Sequence, residues 1–244
     1  MALDWLTAKP IAHRGLHDAS SAIENTATAF AAAIAGGYGI ECDLQVSADG
    51  EAMVHHDEAL GRLTEGSGKL AELNAAEIKK ARFKQSSDRI LTLAELCELV
   101  GSRATLVLEL KSHFDGDRRL VERVAQVLAN YTGPVAAMSF DPAMVELLRH
   151  IGPALTRGIV AQHHYDDWPE LPPSQRHSLG NLLHAPRTRP QFIAYAIRDL
   201  PALAPLALRF TFRLPLLTWT VRTEADRRRA LRWADQMIFE GWRP

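Results

Sequence analysis

Polar residues at the ends of short apolar runs are the feature of this sequence with the clearest chemical content. Two histidines, three carboxylates and two cations occupy such places. They are His13, Arg14, Glu41, Asp43, His56, Glu109 and Lys111. Protein interiors seldom keep charged side chains among apolar residues unless these are paired or bind a metal. The set therefore predicts a metal-assisted phosphate site.

The three carboxylates predict a site for a divalent cation. Side chains alternate along a strand, so Glu41 and Asp43 share one face while Cys42 points to the other. Glu109 and Lys111 repeat this alternation in another apolar run. Oxygen ligands favour Mg²⁺ or Ca²⁺ over zinc, which prefers nitrogen and sulfur. Ion pairs between these acids and nearby Arg or Lys side chains are the structural alternative.

The remaining polar residues predict acid–base chemistry on a bound phosphate. His13 and His56 are candidates for the general acid and base, because imidazole titrates near neutral pH. Arg14 and Lys111 are candidates for phosphate contacts, with salt bridges to the neighbouring acids as the alternative. The indole of Trp219 is a candidate wall of the substrate pocket, although a buried tryptophan is more often part of a core.

The elements that must position these residues alternate between strands and helices. Strands are predicted at Pro10–His13, Gly39–Val46, Ala52–His56, Thr105–Lys111, Pro134–Phe140, Leu155–Val160, Phe192–Ile197, Leu214–Thr220 and Gln236–Phe239. Helices are predicted at Glu24–Ala35, Leu93–Val100, Arg118–Ala129, Pro142–His150 and Glu224–Ala234. This alternation is typical of βαβ units around a parallel sheet, and about eight units favour an α/β TIM (β/α)₈ barrel. A doubly wound open sheet is the alternative, although no Gly-x-Gly-x-x-Gly motif follows a first strand.

One polar segment interrupts the alternation. Residues 58–90 contain the run Thr64-Glu65-Gly66-Ser67-Gly68-Lys69 and are predicted to form a small insertion at the barrel mouth, where such insertions often shape the pocket. The segment Asp166–Pro173 is rich in Pro and Asp and is predicted to be a loop. With this insertion, residues 1–244 are expected to form one barrel domain.

Composition excludes several classes of function. The chain has 244 residues, 47% of them hydrophobic, which is enough for a sizeable core. A formal net charge of -1 disfavours a nucleic-acid partner. Cys42 and Cys97 lack disulfide or metal spacing, which fits a reducing compartment. With no recognisable signal peptide and no bilayer-length apolar stretch, we expect a soluble cytoplasmic protein with a small-molecule substrate and no stable membrane insertion.

In their order along the chain, these motifs resemble the glycerophosphodiester phosphodiesterase family of the phospholipase-C-like phosphodiesterase superfamily. The matching motifs are His13-Arg14-Gly15, Glu24-Asn25-Thr26, Ala29-Phe30, Glu41-Cys42-Asp43, Asp49-Gly50, His56-Asp57, Leu60, Arg62, Thr64, Gly66 and Glu109-Leu110-Lys111. The resemblance covers most of the chain and is densest up to Lys111. Later, Ser139-Phe140 and Trp219-Thr220-Val221 are similar to the family's last strands.

The resemblance implies a (β/α)₈ barrel with a small insertion after the second histidine. It also implies hydrolysis of glycerophosphodiesters to sn-glycerol 3-phosphate and an alcohol. The implied roles are one Mg²⁺ or Ca²⁺ ion bound by the three carboxylates, an acid–base pair of histidines, and phosphate contacts from Arg14 and Lys111. A phosphodiester-binding protein with weak or lost turnover is the alternative, which the presence of both His13 and His56 disfavours.

The sequence departs from the family pattern at a few positions, two of which lie near its C-terminal end. Arg222 follows Trp-Thr-Val where the family usually has Asn, and Glu240 follows the last apolar run where the family often has Asp. These differences keep every candidate catalytic group. They leave the leaving-group pocket and the exact substrate open.

Overall fold

A closed barrel of parallel strands forms the centre of the protein. The computed structural model describes residues 3–18, 22–165 and 168–244. Within them the strands are β1 (Ile11–Ala12), β2 (Gly39–Val46), β3 (Ala52–Val54), β4 (Leu106–Leu110), β5 (Val135–Ser139), β6 (Thr156–Ala161), β7 (Phe192–Ala196), β8 (Leu216–Val221) and β9 (Gln236–Phe239). Every strand except β3 lies parallel to its neighbours, and the barrel closes because β1 pairs with both β2 and β9. The predicted TIM (β/α)₈ barrel is confirmed, and the open sheet is excluded.

Strand β3 stands outside the barrel and pairs antiparallel with β2. Leu44 lies opposite Val54, and Val46 lies opposite Ala52. The intervening chain is too short for the crossover helix that a parallel pair requires. Gly50, with a φ of 81°, turns the chain and donates its N–H to the carbonyl of Ser47. This hairpin brings the segment after β3 beside the end of β2.

Helices surround the barrel. They are α1 (Asp4–Thr7), α2 (Ala27–Ala35), α3 (Ala75–Ile78), α4 (Leu93–Val100), α5 (Arg119–Leu128), α6 (Pro142–Ile151), α7 (Pro173–Gly180), α8 (Ala185–Thr188), α9 (Leu203–Phe212) and α10 (Glu224–Trp233). Short 3₁₀ turns lie at Leu70–Glu72 and Ile197–Asp199. All predicted strands and helices are present, with ends shifted by at most three residues. Helix α2 begins later than predicted because the Thr26 hydroxyl caps it by accepting the Ala29 N–H.

Several helices were not predicted, and their sequences explain why. Helix α7 is mostly polar, and α9 carries apolar residues on every side, so neither shows the one-sided apolar stripe of an amphipathic helix. The predicted loop at Asp166–Pro173 is a loop over residues 168–172, and α7 begins at Pro173. Residues 166 and 167 lie outside the described part of the chain. None of the described helices is long and apolar enough to cross a membrane.

The inside of the barrel is apolar at its base and polar at its mouth. One buried cluster contains Ile11, Val107, Leu217 and Ile238 from four different strands, and Leu6 of α1 packs against it. Because side chains on one face recur every second residue, the residues two positions further along point the same way. They are His13, Glu109, Trp219 and Glu240. The fold therefore places the predicted site directly above the inner core.

Residues 58–90 pack beside the mouth as a small unit with apolar contacts of its own. Leu70, Ile78, Phe83 and Ile90 are buried against Met53 of β3. Isolated bridges, such as the one between Thr64 and Phe83, hold the loops together.

Candidate active site

A cavity of about 500 Å³ opens at the carboxyl ends of the barrel strands. Most of the candidate residues line it, namely His13, Arg14, Glu41, His56, Glu109, Lys111 and Trp219. The remaining candidate, Asp43, is buried and meets Lys111 at 2.8 Å. The structure thus brings all the residues singled out in the sequence to one place.

The three candidate metal ligands converge because of strand register. Asp43 on β2 lies opposite Glu109 on β4, and Glu41 shares the inward face of β2. One carboxylate oxygen from each residue lies within 4.8 Å of the others, and all three residues are buried. The backbone N–H of Arg14 donates to Glu41 Oε2 at 3.0 Å, and Asn25 Nδ2 donates to Asp43 Oδ2 at 2.9 Å.

Neighbouring cations offset part of this negative charge. Lys111 Nζ lies 2.6 Å from Glu109 Oε1 and 2.8 Å from Asp43 Oδ1, and Arg14 Nε lies 3.2 Å from Asp43 Oδ2. Burial by itself raises the pKa of Asp43, but the charges of Lys111 and Arg14 outweigh it and hold that pKa below its usual range. Burial raises the pKa of Glu41 well above its usual range, and the charges of Asp43 and Glu109 add to this.

The donor set fits a divalent cation of the Mg²⁺ or Ca²⁺ kind. It consists of carboxylate oxygens, which are the ligands that these hard cations prefer. Asp43 Oδ1 is buried, and Lys111 Nζ pairs with it at 2.8 Å. The three buried carboxylates outnumber the two cations, Arg14 and Lys111, that pair with them, and uncompensated charge is costly in a protein interior. A divalent cation among the three carboxylates would offset this charge and relieve their mutual repulsion.

His13 is held by a carboxylate from the other end of the chain. Its Nδ1 lies 2.5 Å from Glu240 Oε2, and because an ionised carboxylate only accepts, Nδ1 is the donor. Its Nε2 lies 3.9 Å from Glu41 Oε2, towards the carboxylate cluster. Arg222 clamps Glu240 with two hydrogen bonds, Nε to Oε1 at 3.0 Å and Nη2 to Oε2 at 3.1 Å. Burial raises the pKa of Glu240, but the hydrogen bonds from His13 and Arg222 outweigh it and lower that pKa.

His56 is held in a similar way by nearby residues. Its Nδ1 lies 2.8 Å from Asp57 Oδ1, and Arg62 Nε donates to Asp57 Oδ2 at 2.5 Å. Arg62 also donates from Nη2 to Glu24 Oε1 at 2.6 Å, and Arg14 Nη1 donates to the same oxygen at 2.8 Å. Burial lowers the pKa of His56, so the neutral imidazole is favoured.

Aromatic rings form another part of the cavity lining. Trp219 donates its indole N–H to the Ala194 carbonyl at 3.2 Å, which fixes the ring. Phe140 meets Trp219 edge-on at 5.5 Å and Trp168 at 5.1 Å between ring centroids. The wall predicted from Trp219 is therefore part of a larger aromatic cluster.

Sequence reasoning missed the contacts that support the histidines. Arg222 and Glu240 stood out only as departures from a family pattern, and nothing in their spacing indicated that they pair. Asp57 and Arg62 were noted only as parts of the family motifs, with no role assigned to them. The carboxylate after His56 was the one available signal, because a metal- or substrate-facing histidine often has a carboxylate on its other nitrogen.

A family model matches nearly the whole chain, including every candidate residue of this site. The model of the glycerophosphoryl diester phosphodiesterase family covers residues 13–240, from the first candidate histidine to the carboxylate that holds it. The chain belongs to this family. Membership agrees with the resemblance seen in the motifs.

Curated relatives match this family member over part of their own length. A glycerophosphodiester phosphodiesterase of Caldanaerobacter subterraneus is 35% identical over 164 residues, which are 62% of this chain and 66% of that protein. Glycerophosphodiester phosphodiesterase 1 of Bos taurus is 36% identical over 150 residues, which are 57% of this chain and 44% of that protein. The chain thus spans just under two thirds of the first and less than half of the second.

Solved structures match the chain over nearly its full length. A phosphodiesterase of Oleispira antarctica in complex with the product sn-glycerol-3-phosphate has a TM-score of 0.79 at 20% identity, covering 96% of this chain and 94% of that one. A glycerophosphodiester phosphodiesterase of Thermotoga maritima has a TM-score of 0.71 at 23% identity, covering 94% and 92%. At these identities the likeness shows a shared barrel fold.

Proposed function

We propose that this protein hydrolyses glycerophosphodiesters to sn-glycerol 3-phosphate and an alcohol. The observation that carries the proposal is one cavity that joins three buried carboxylates to two histidines, each held at Nδ1 by its own carboxylate. Family membership supports it, and the Oleispira antarctica protein of the same fold is a phosphodiesterase that binds this product. The same residues support an acid–base mechanism assisted by a divalent cation.

The carboxylates Glu41, Asp43 and Glu109 would hold Mg²⁺ or Ca²⁺. When bound, the ion would offset negative charge on the phosphoryl oxygens, which matters most in the transition state. Arg14 and Lys111 are cations of the protein itself that line the cavity beside the carboxylates. Their ion pairs with Asp43 and Glu109 hold both side chains beside the carboxylate cluster, and both would contact the phosphate as well.

His13 and His56 would move the protons. Glu240 and Asp57 hold the Nδ1 atoms, so Nε2 is the nitrogen that each imidazole can offer to the cavity. One Nε2 would accept the proton of the nucleophile, which is water or the glycerol 2-hydroxyl. The other would protonate the departing alkoxide, and each such role contributes about 10²–10⁴-fold in rate. The aromatic rings that line the cavity, including Trp219, would pack against the substrate.

A panel of glycerophosphodiesters tests the proposal. The purified chain is incubated with glycerophosphocholine, glycerophosphoethanolamine and glycerophosphoglycerol in Mg²⁺, in Ca²⁺ or in EDTA, and products are followed by ³¹P NMR. We expect sn-glycerol 3-phosphate from at least one diester in the presence of a cation. A transient cyclic phosphate would indicate attack by the 2-hydroxyl. Binding of the diesters without any product would instead indicate the phosphodiester-binding alternative and contradict the proposal.

A further inference from the structure

The outward face of α9 exposes apolar side chains to solvent. Leu203 is 88% exposed and Phe210 is 67% exposed, and Ala207 lies between them at helical spacing. Phe212, at the end of the helix, is also 67% exposed. Surface helices usually place charged residues on this face. Single exposed apolar residues are ordinary, but a continuous stripe of them marks an interaction surface.

The next helix along the chain, α10, is joined to α9 near the base of the barrel. Both helices run from the mouth of the barrel to its base, because each connects two parallel strands. Their last turns are tied together, since Arg209 donates to the Trp233 carbonyl at 3.1 Å and pairs with Asp235 at 2.7 Å. Leu231, in the last turn of α10, is 64% exposed. We define the apolar stripe as Leu203, Ala207 and Phe210, which share one face of α9.

The stripe lies in a basic part of the chain. Residues 203–235 contain seven arginines and three acidic residues, a net charge of +4, whereas the whole chain has a net charge of -1. Arg213 and Arg232 are exposed near the ends of the two helices, and neither forms a salt bridge with the described residues. Exposed apolar side chains beside arginines that have no acidic partner favour contact with an anionic lipid surface.

We propose that this face of the barrel docks on the surface of an anionic lipid bilayer. The apolar stripe would enter the headgroup boundary while Arg213 and Arg232 reach lipid phosphates. A second copy of the chain fits this face less well, because a two-fold contact would bring the basic surface of one copy against the same basic surface of the other. The stripe is on the outer wall, so docking leaves the mouth of the barrel open. This proposal does not depend on the proposed catalytic activity.

Vesicle co-sedimentation tests the proposal with the full chain. We expect binding to vesicles of phosphatidylcholine mixed with phosphatidylglycerol, weaker binding at high salt, and little binding to phosphatidylcholine alone. The double variant Leu203→Glu/Phe210→Glu should lower the partition coefficient about ten-fold or more, because it removes buried apolar area and adds negative charge. Leu183→Glu is the matched control, since Leu183 is 60% exposed and lies outside the stripe. It should bind like the wild type.

Three results would overturn the proposal. The first is a wild-type chain that does not sediment with anionic vesicles even at low salt. The second is equal weakening by the double variant and by Leu183→Glu. The third is a dimer in sedimentation velocity that the double variant converts to monomer, which would assign the stripe to a second copy. If the double variant unfolds at a lower temperature than wild type, Arg213→Gln/Arg232→Gln replaces it and must weaken binding to anionic vesicles at low salt.

Discussion

The two candidate catalytic histidines have chemically similar supports that come from different parts of the molecule. His13 and Glu240 are 227 residues apart and meet only because β1 pairs with β9 when the barrel closes. His56 is held by the adjacent Asp57, and Arg62 of the 58–90 insertion holds Asp57. In both places a carboxylate binds Nδ1 and a guanidinium binds the carboxylate. One support therefore depends on the global fold and the other on a local segment.

Removing either imidazole should have the largest effect on catalysis. His13→Ala and His56→Ala should each lower kcat for the best glycerophosphodiester by about 10²–10⁴-fold, because each removes one proton-transfer group. Thermal unfolding midpoints measured beside the kinetics show whether the variants remain folded. A folded variant with wild-type turnover would remove that histidine from the mechanism.

The two carboxylates provide the next test. Glu240→Gln and Asp57→Asn keep similar shapes but lose the charge that holds each Nδ1–H, so kcat should fall by about 10–100-fold in both with a smaller change in KM. Glu122→Gln, an exposed acid on α5, is the control and should leave kcat unchanged. If only one of the two site variants loses activity, the supports are not equivalent and the comparison fails.

The two arginines should have smaller and unequal effects. Arg222 is half-exposed and contacts one acid, so Arg222→Ala should lower kcat by about five-fold or less, as expected from a partly exposed ion pair. Arg62 contacts both Asp57 and Glu24, so Arg62→Ala should lower kcat more. Steady-state kinetics at one saturating substrate concentration ranks them. A larger loss of kcat in Arg222→Ala than in Arg62→Ala would mean that Glu240 depends on its arginine more than Asp57 does.

The smallest expected effect is a shift of the pH profile. Burial lowers the pKa of His56, while the hydrogen bond to Asp57 raises it in part. Asp57→Asn removes that opposing contribution, so the limb of the kcat/KM profile that belongs to His56 should move to lower pH. Asp117→Asn, at a partly buried acid that does not line the cavity, serves as the control and should not move this limb. A shift to higher pH would contradict the assigned cause.

The carboxylate cluster of the site followed from local sequence rules. Glu41 and Asp43 alternate with Ile40, Cys42 and Leu44, and a strand with that pattern must put both carboxylates on one face. Glu109 sits at the matching position of another apolar run. The period of a strand and the common mouth of a parallel barrel were enough to predict that these groups meet.

The support of His13 could not be predicted in the same way. Its partners are set by barrel closure and register, which no local pattern encodes, so Arg222 and Glu240 were visible only as unusual residues. The antiparallel pairing of β3 with β2 could not be predicted for a related reason. An apolar run indicates that a strand forms, but it does not indicate the direction in which that strand pairs. Helix α9 lacked a polar face, and that same feature now identifies it as an interaction surface.

The most direct experiment measures whether the carboxylate cluster works through a bound cation. The chain is dialysed against EDTA, shown to be metal-free by elemental analysis, and assayed before and after addition of Mg²⁺ or Ca²⁺, with Glu109→Gln as the variant. We expect activity to disappear in the metal-free protein and to return when a cation is added, and we expect Glu109→Gln to need more cation for the same activity. A metal-free protein that hydrolyses glycerophosphodiesters at the full rate would contradict this expectation.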